Sequence, residues 1–188
     1  MKKIKLLLLS VFVALGSSAI QAQSQKIDIK KSTITWIGKK VTGEHKGTIN
    51  FQDGTVAFKK GKLVGGNFTV DMPSLVCNDL SGEWKQKLEG HLKSEDFFGT
   101  EKFKNSTLVF KKIVAKDKEN YTVTADLTIK GITKPITFNM AVKENSATAD
   151  LKIDRTKYDI KYGSGSFFDD LGDKTIYDDF ELMVTLQF

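Results

Sequence analysis

The run YTVTADLTIKGITKPITFNMAV, residues 121–142, decides the fold. Tyr121, Val123, Ala125, Leu127 and Ile129 share one parity, Ile136, Phe138, Met140 and Val142 share the next, and Lys130-Gly131 lies between them. Period two places successive side chains on opposite faces of a strand, so each half offers one apolar face. The Lys-Gly pair fits a tight connection between antiparallel neighbours.

The same pattern continues outward. Ala147, Ala149, Leu151 and Ile153 follow, then Phe180, Leu182, Val184, Leu186 and Phe188. On the N-terminal side stand Ile34 and Trp36, Ile49 and Phe51, Val56 and Phe58, then Phe68, Val70 and Met72. Asp53-Gly54, Lys60-Gly61 and Glu144-Asn145 read as further turns. Eight or nine antiparallel strands suit a closed barrel or a two-sheet sandwich. One stretch breaks the period: from Asp79 to Leu92 the residues Trp84, Leu88 and Leu92 fall four apart behind Ser81, a suitable N-cap. This predicts a short amphipathic helix, placed as a lid over one end of an all-β chain.

Residues 1–22 read as a secretory signal. Lys2, Lys3 and Lys5 precede an apolar run from Leu6 to Leu15, too short to span a bilayer, and small residues near Ala19 and Ala22 offer cleavage positions. Removing 22 residues leaves 166, enough for one domain over 23–188, and lowers the net charge from +6 to +3. The expected location is the periplasm or the cell exterior. The lone Cys77 excludes a disulfide scaffold, so stability there rests on burial. Lysines alternating with apolar residues describe a solvated face, and no nucleic-acid partner is expected.

Catalysis finds little support. Gly163-Ser164-Gly165-Ser166 lacks the spacing of a nucleophile elbow, and only His45 and His91 could serve as bases. No metal site is expected from the two histidines with carboxylates. Asp169, Asp170, Asp173, Asp178 and Asp179 do not follow a calcium-loop spacing and read as a solvated acidic turn. No cofactor is implied beyond a bound lipid.

Three segments carry a family resemblance. His91-Leu92-Lys93-Ser94-Glu95-Asp96-Phe97-Phe98, then residues 126–138 (DLTIKGITKPITF), then Ile153-Asp154-Arg155-Thr156-Lys157-Tyr158-Asp159-Ile160 resemble, in that order, the YceI-like family. The resemblance implies an exported antiparallel eight-stranded lipocalin-like barrel, one end closed by the short helix, that binds polyisoprenoid or related long-chain lipids in an apolar cavity. The chain departs from the family at Asp159, where glycine is usual, and in a short, acidic loop over 163–179.

From the residues alone, a barrel of this size can be hollow or filled. Gly66, Ala125, Ala147 and Ala149 share the apolar parity and would leave space inside. Trp36, Phe68, Val70, Phe138 and Met140 are the expected cavity lining, with Trp84, Leu88, Phe97 and Phe98 on the lid. The Phe167-Phe168 pair would add an aromatic lip. His91 and Arg155, the only arginine in the chain, are candidates for a lipid head group. Arg155 sits on an apolar parity and would need a partner such as Asp96, Asp154 or Asp159. The expected function is a carrier or buffer for a long-chain isoprenoid or fatty lipid. Two alternatives stand beside it: a filled envelope stress or interaction protein, and an outer-membrane barrel, since period two does not say which side is apolar. The oligomeric state is open, a homodimer and transient contact with a membrane being compatible with the sequence.

Overall fold

The computed structural model describes residues 22–188. The expected signal segment therefore lies, except for Ala22, outside the described residues. Nine strands follow in order: β1 (Gln23–Lys26), β2 (Thr33–Lys40), β3 (Gly43–Lys59), β4 (Lys62–Cys77), β5 (Asn105–Ala115), β6 (Asn120–Ile129), β7 (Ile132–Lys143), β8 (Ser146–Asp154) and β9 (Ile176–Gln187). Helix α1 (Gly82–Lys93) stands between β4 and β5, and a 3-10 turn over Arg155–Tyr158 follows β8.

All pairings are antiparallel. The order β3-β2-β9-β8-β7-β6-β5-β4 returns to β3 through a β3–β4 ladder, closing an eight-stranded barrel. Closure gives every barrel strand a neighbour on both sides, and the part of β3 that outruns β2 keeps an open ladder. β1 is extra: it pairs with Thr55–Phe58 of β3, past the point where β2 stops. Its Gln-Ser-Gln-Lys sequence has no apolar residue, so periodicity does not reveal it.

The apolar parity points inward. On β6, Tyr121, Val123, Ala125, Leu127 and Ile129 are buried, while Thr122, Thr124 and Thr128 face out and pair with Asn139, Thr137 and Thr133 of β7. A polar exterior around an apolar interior is the reverse of a lipid-facing barrel.

Three of the four expected tight turns form as read. Lys60-Gly61 and Lys130-Gly131 have φ of 53° and 72°, and of 50° and 75°, the positive pairs that match hairpin twist. Glu144-Asn145 joins β7 to β8 between the paired Lys143 and Ser146. Asp53-Gly54 is not a turn. β3 runs through it, with Asp53 opposite Thr69 and Gly54 opposite Phe68, after a register slip beyond Phe51. A Cβ on Gly54 would come within 2.7 Å of both Ile27 and Phe68, so this glycine lets a long strand bend closely around the core. The space expected at Gly66 is occupied in the same way: the Phe110 ring lies 2.6 Å from where its Cβ would be.

Candidate functional site

The barrel is hollow. Its interior holds a cavity of about 380 Å³, to which every strand from β2 to β9 contributes side chains, together with α1 and the segment that follows it. That volume falls within the range of small-molecule pockets, roughly 300–1,000 Å³. Rings line one wall in succession: Phe51 to Phe68 at 6.1 Å, Phe68 to Phe110 at 5.5 Å, and Phe110 to Phe138 at 6.0 Å between centroids. Ala149 is the small residue that keeps volume open, whereas Ala125 and Ala147 are buried elsewhere in the packing.

Of the residues expected at the cavity, Trp36, Phe68, Val70, Phe138 and Met140 line it from the strands, and Leu88, Phe97 and Phe98 line it from the closing segment. Trp84 does not. The helix starts at Gly82, one residue past Ser81, whose side chain makes no capping hydrogen bond. Four-residue spacing puts Trp84 on the stripe of Leu88 and Leu92, but it stands in the first turn, where Gly82 and Glu83 are exposed as well. The indole is 71% exposed, with Lys87 Nζ 5.1 Å above the ring. Phe167 and Phe168 are also exposed and stand outside the cavity wall.

His91 and Arg155 both reach the cavity. The His91 ring meets Tyr162 edge-on at 4.4 Å and Phe97 at 4.9 Å, and its Nε2 lies 3.9 Å from Asp96. It is packed as part of an aromatic plug. Arg155 is 3% exposed. Its Nε, Nη1 and Nη2 donate to the carbonyls of Tyr177 (3.1 Å), Ile160 (2.9 Å) and Ile176 (3.0 Å). The expected partners Asp96, Asp154 and Asp159 are not the ones it meets: the nearest carboxylate is Asp178, 3.6 Å from Nη2. The reason is chain path, since β9 begins beside the 3-10 turn and brings its first carbonyls to the guanidinium. Burial lowers the arginine's pKa, and the charges of Asp178 and Asp154 work against that shift. Over the other side of the guanidinium lies the Phe97 ring, 5.7 Å away.

Sequence reasoning missed Phe110, Tyr162 and Tyr177 as lining residues. Phe110 lies in Leu108-Val109-Phe110, where three apolar residues in a row hide the alternation. Tyr162 and Tyr177 are delivered by the loop after β8 and the start of β9, and no local pattern announces them.

Comparison with known proteins places this architecture. A model of the YceI-like domain matches residues 25–188. The chain belongs to the YceI-like family. A UPF0312 protein of Photorhabdus laumondii is 31% identical over 147 residues, covering 74% of this chain and 71% of that one. Protein YceI of Escherichia coli is 32% identical over 93 residues, covering 48% of this chain and 45% of its own length. Among solved structures, BcnA of Burkholderia cenocepacia superposes with a TM-score of 0.69 at 23% identity over 85% of this chain and 98% of its own. A polyisoprenoid-binding domain from Saccharophagus degradans gives 0.57 at 14% identity, covering 86% and 95%. At these identities the two structures establish the shared fold.

The three YceI-like segments now have structural roles. His91 to Phe98 ends α1 and inserts Phe97 and Phe98 into the cavity. Residues 126–138 form the β6–β7 hairpin around the Lys130-Gly131 turn. Ile153 to Ile160 leads from β8 into the 3-10 turn that carries Arg155. The departure at Asp159 also finds its reason. This residue caps the turn with φ 59° and ψ 31°, the left-handed conformation that glycine adopts without strain and aspartate tolerates.

Proposed function

We propose that this YceI-like protein is an exported, non-catalytic carrier or buffer that holds a long-chain isoprenoid or fatty lipid inside the barrel. The observation that carries this reading is the cavity of about 380 Å³ walled by inward apolar faces and containing one buried arginine. Each methylene moved from water into such a wall contributes about 0.8 kcal/mol, so a chain of a dozen carbons binds without any specific polar contact. Arg155, and to a lesser degree His91, serve the polar end of the ligand. The polyisoprenoid-binding domain of the same fold supports this class of ligand. Export rests on the basic and apolar character of residues 1–22, and the lipid would be exchanged in the envelope, during transient contact with a membrane.

Native mass spectrometry of the processed protein, purified without detergent, tests the reading. One lipid per chain, either retained from the cell or taken up from added polyprenyl lipid, is the expected result. A homogeneous ligand-free mass that added polyprenyl or fatty lipid leaves unchanged would return the protein to the alternative of an envelope protein without a small ligand. Recovery of the protein by osmotic shock tests the location.

A further inference from the structure

We propose that His45, Cys77 and Asp79 form a binding site for one divalent metal ion of the zinc class at the rim of the barrel. These residues come from the start of β3, the end of β4 and the loop leading to α1. Their candidate ligand atoms all lie within 4.8 Å of one another. His45 Nδ1 is 2.8 Å from Asp79 Oδ2, and Cys77 Sγ is 3.1 Å from Asp79 Oδ1. A tetrahedral zinc ion separates its nitrogen and oxygen ligands by about 3.3 Å and its sulfur and oxygen ligands by about 3.5 Å, from bond lengths of roughly 2.0–2.3 Å. His45 and Cys77 meet different oxygens of Asp79, so one carboxylate can turn to serve both, and with all ligand atoms within 4.8 Å of one another, admitting the ion takes shifts of about 0.5 to 1.3 Å. His45 and Asp79 have side chains 33% and 24% exposed, so both can make that shift and the ion has a path from solvent.

The surroundings hold the set in place. Asp79 Oδ1 accepts from the Lys46 backbone N–H at 2.9 Å, and the Cys77 backbone N–H donates to Glu89 of α1 at 2.8 Å. The Asn78 N–H donates to the Lys46 carbonyl at 2.9 Å, tying the loop back to β3. One thiolate, one imidazole and one carboxylate with a fourth position left to water is a donor set that suits zinc or cobalt and does not suit calcium or magnesium. Binding displaces one proton, from the Cys77 thiol, to solvent. Burial foremost keeps that thiol protonated while no metal is bound. The site is invisible to motif reading because the β3–β4 ladder assembles it, with Cys77 opposite Gly47, two residues from His45.

Cobalt(II) titration of the chelator-treated protein tests the site by absorption spectroscopy. Saturation at one ion per chain is expected, with a thiolate-to-cobalt charge-transfer band that zinc abolishes. The band should vanish in Cys77→Ala. Affinity should fall roughly tenfold or more in His45→Gln, at least the cost of losing an outer partner of a ligand, and the exchange at a position one-third exposed leaves the barrel folded. Absence of the band in the unmodified protein would overturn the proposal. So would cobalt uptake that is equal in the unmodified protein and in His45→Gln, which would mean an adventitious ion only. Neither readout involves lipid, so failure here leaves the carrier reading untouched.

Discussion

The guanidinium of Arg155 and the carboxylate of Asp178 face each other at 3.6 Å, and the Asp178 Oδ1 atom is buried without a hydrogen bond. Three of the five arginine donors go to backbone carbonyls, and Ser166 Oγ donates to the other Asp178 oxygen at 2.6 Å. The guanidinium is thus built into the frame while keeping donor capacity toward the cavity. Asp178→Asn removes the competing anion and leaves the arginine in place. If Arg155 meets the head group, the retention of anionic over neutral lipid should rise several-fold in competition followed by native mass spectrometry. An unchanged ratio would assign Arg155 a purely structural role.

Ala149→Phe puts a ring into the volume that alanine leaves open beside Met140, its partner on β7. A hollow barrel accepts the ring with little change in the denaturation midpoint and loses lipid uptake. In a filled barrel the same exchange would overpack the core and cost about 1–3 kcal/mol. Urea denaturation alongside lipid titration separates the two outcomes.

Trp84 and Leu88 stand one helical turn apart and are expected to behave differently. Trp84→Ala should change stability by less than about 0.5 kcal/mol and leave lipid retention intact, as for an exposed side chain. Leu88→Ala removes part of the cavity wall from a half-buried position and should cost about 1 kcal/mol, with faster lipid release. Stopped-flow transfer to vesicles gives the release rates.

Asp159→Gly relieves a left-handed residue that glycine adopts freely. A gain of at most about 1 kcal/mol is expected in the chemical denaturation curve, since glycine's extra freedom in the unfolded chain offsets part of the relieved strain. The exposed ion pair from Asp159 to Lys161 at 2.8 Å is lost with it and offsets little of the gain.

Asp154 links stability to acid. Burial pushes its carboxyl pKa up, but the hydroxyl and backbone N–H of Thr156, at 2.6 and 3.0 Å, together with Lys157, outweigh burial and hold it below the usual range. A lowered folded-state value means that its stabilisation is present above the unfolded carboxylate pKa of about 3.9 and is lost as pH falls through the folded value. At neutral pH, Asp154→Asn keeps a capping oxygen but loses its charge, and should be less stable than the unmodified protein by about 1 kcal/mol. The two should converge below the folded-state value. A denaturation series from neutral to acid pH checks the sign.

The hairpin from Tyr121 to Val142 was legible in full because a strand's period, its turn pair and its buried face all lie within a few residues of one another. The same holds for β8 and β9. Asp53-Gly54 was misread because glycine serves both a turn and a bent strand, and only the 17-residue run of β3 past β4 distinguishes them. β1 stayed hidden because a strand without apolar residues can form when a longer neighbour presents an open ladder.

By itself, the sequence determined an all-β chain with one apolar face per strand, one interrupting helix and a family membership carried by three segments. These are consequences of local periodicity and of side chains close together in the chain. Closure through β3 and β4, the hollow interior, the outward turn of Trp84 and the choice of Asp178 as the arginine's carboxylate were decided by the tertiary structure. Whether small residues leave a void depends on which rings from distant strands reach the same space: Phe110 fills the space at Gly66, whereas Ala149 lines the cavity.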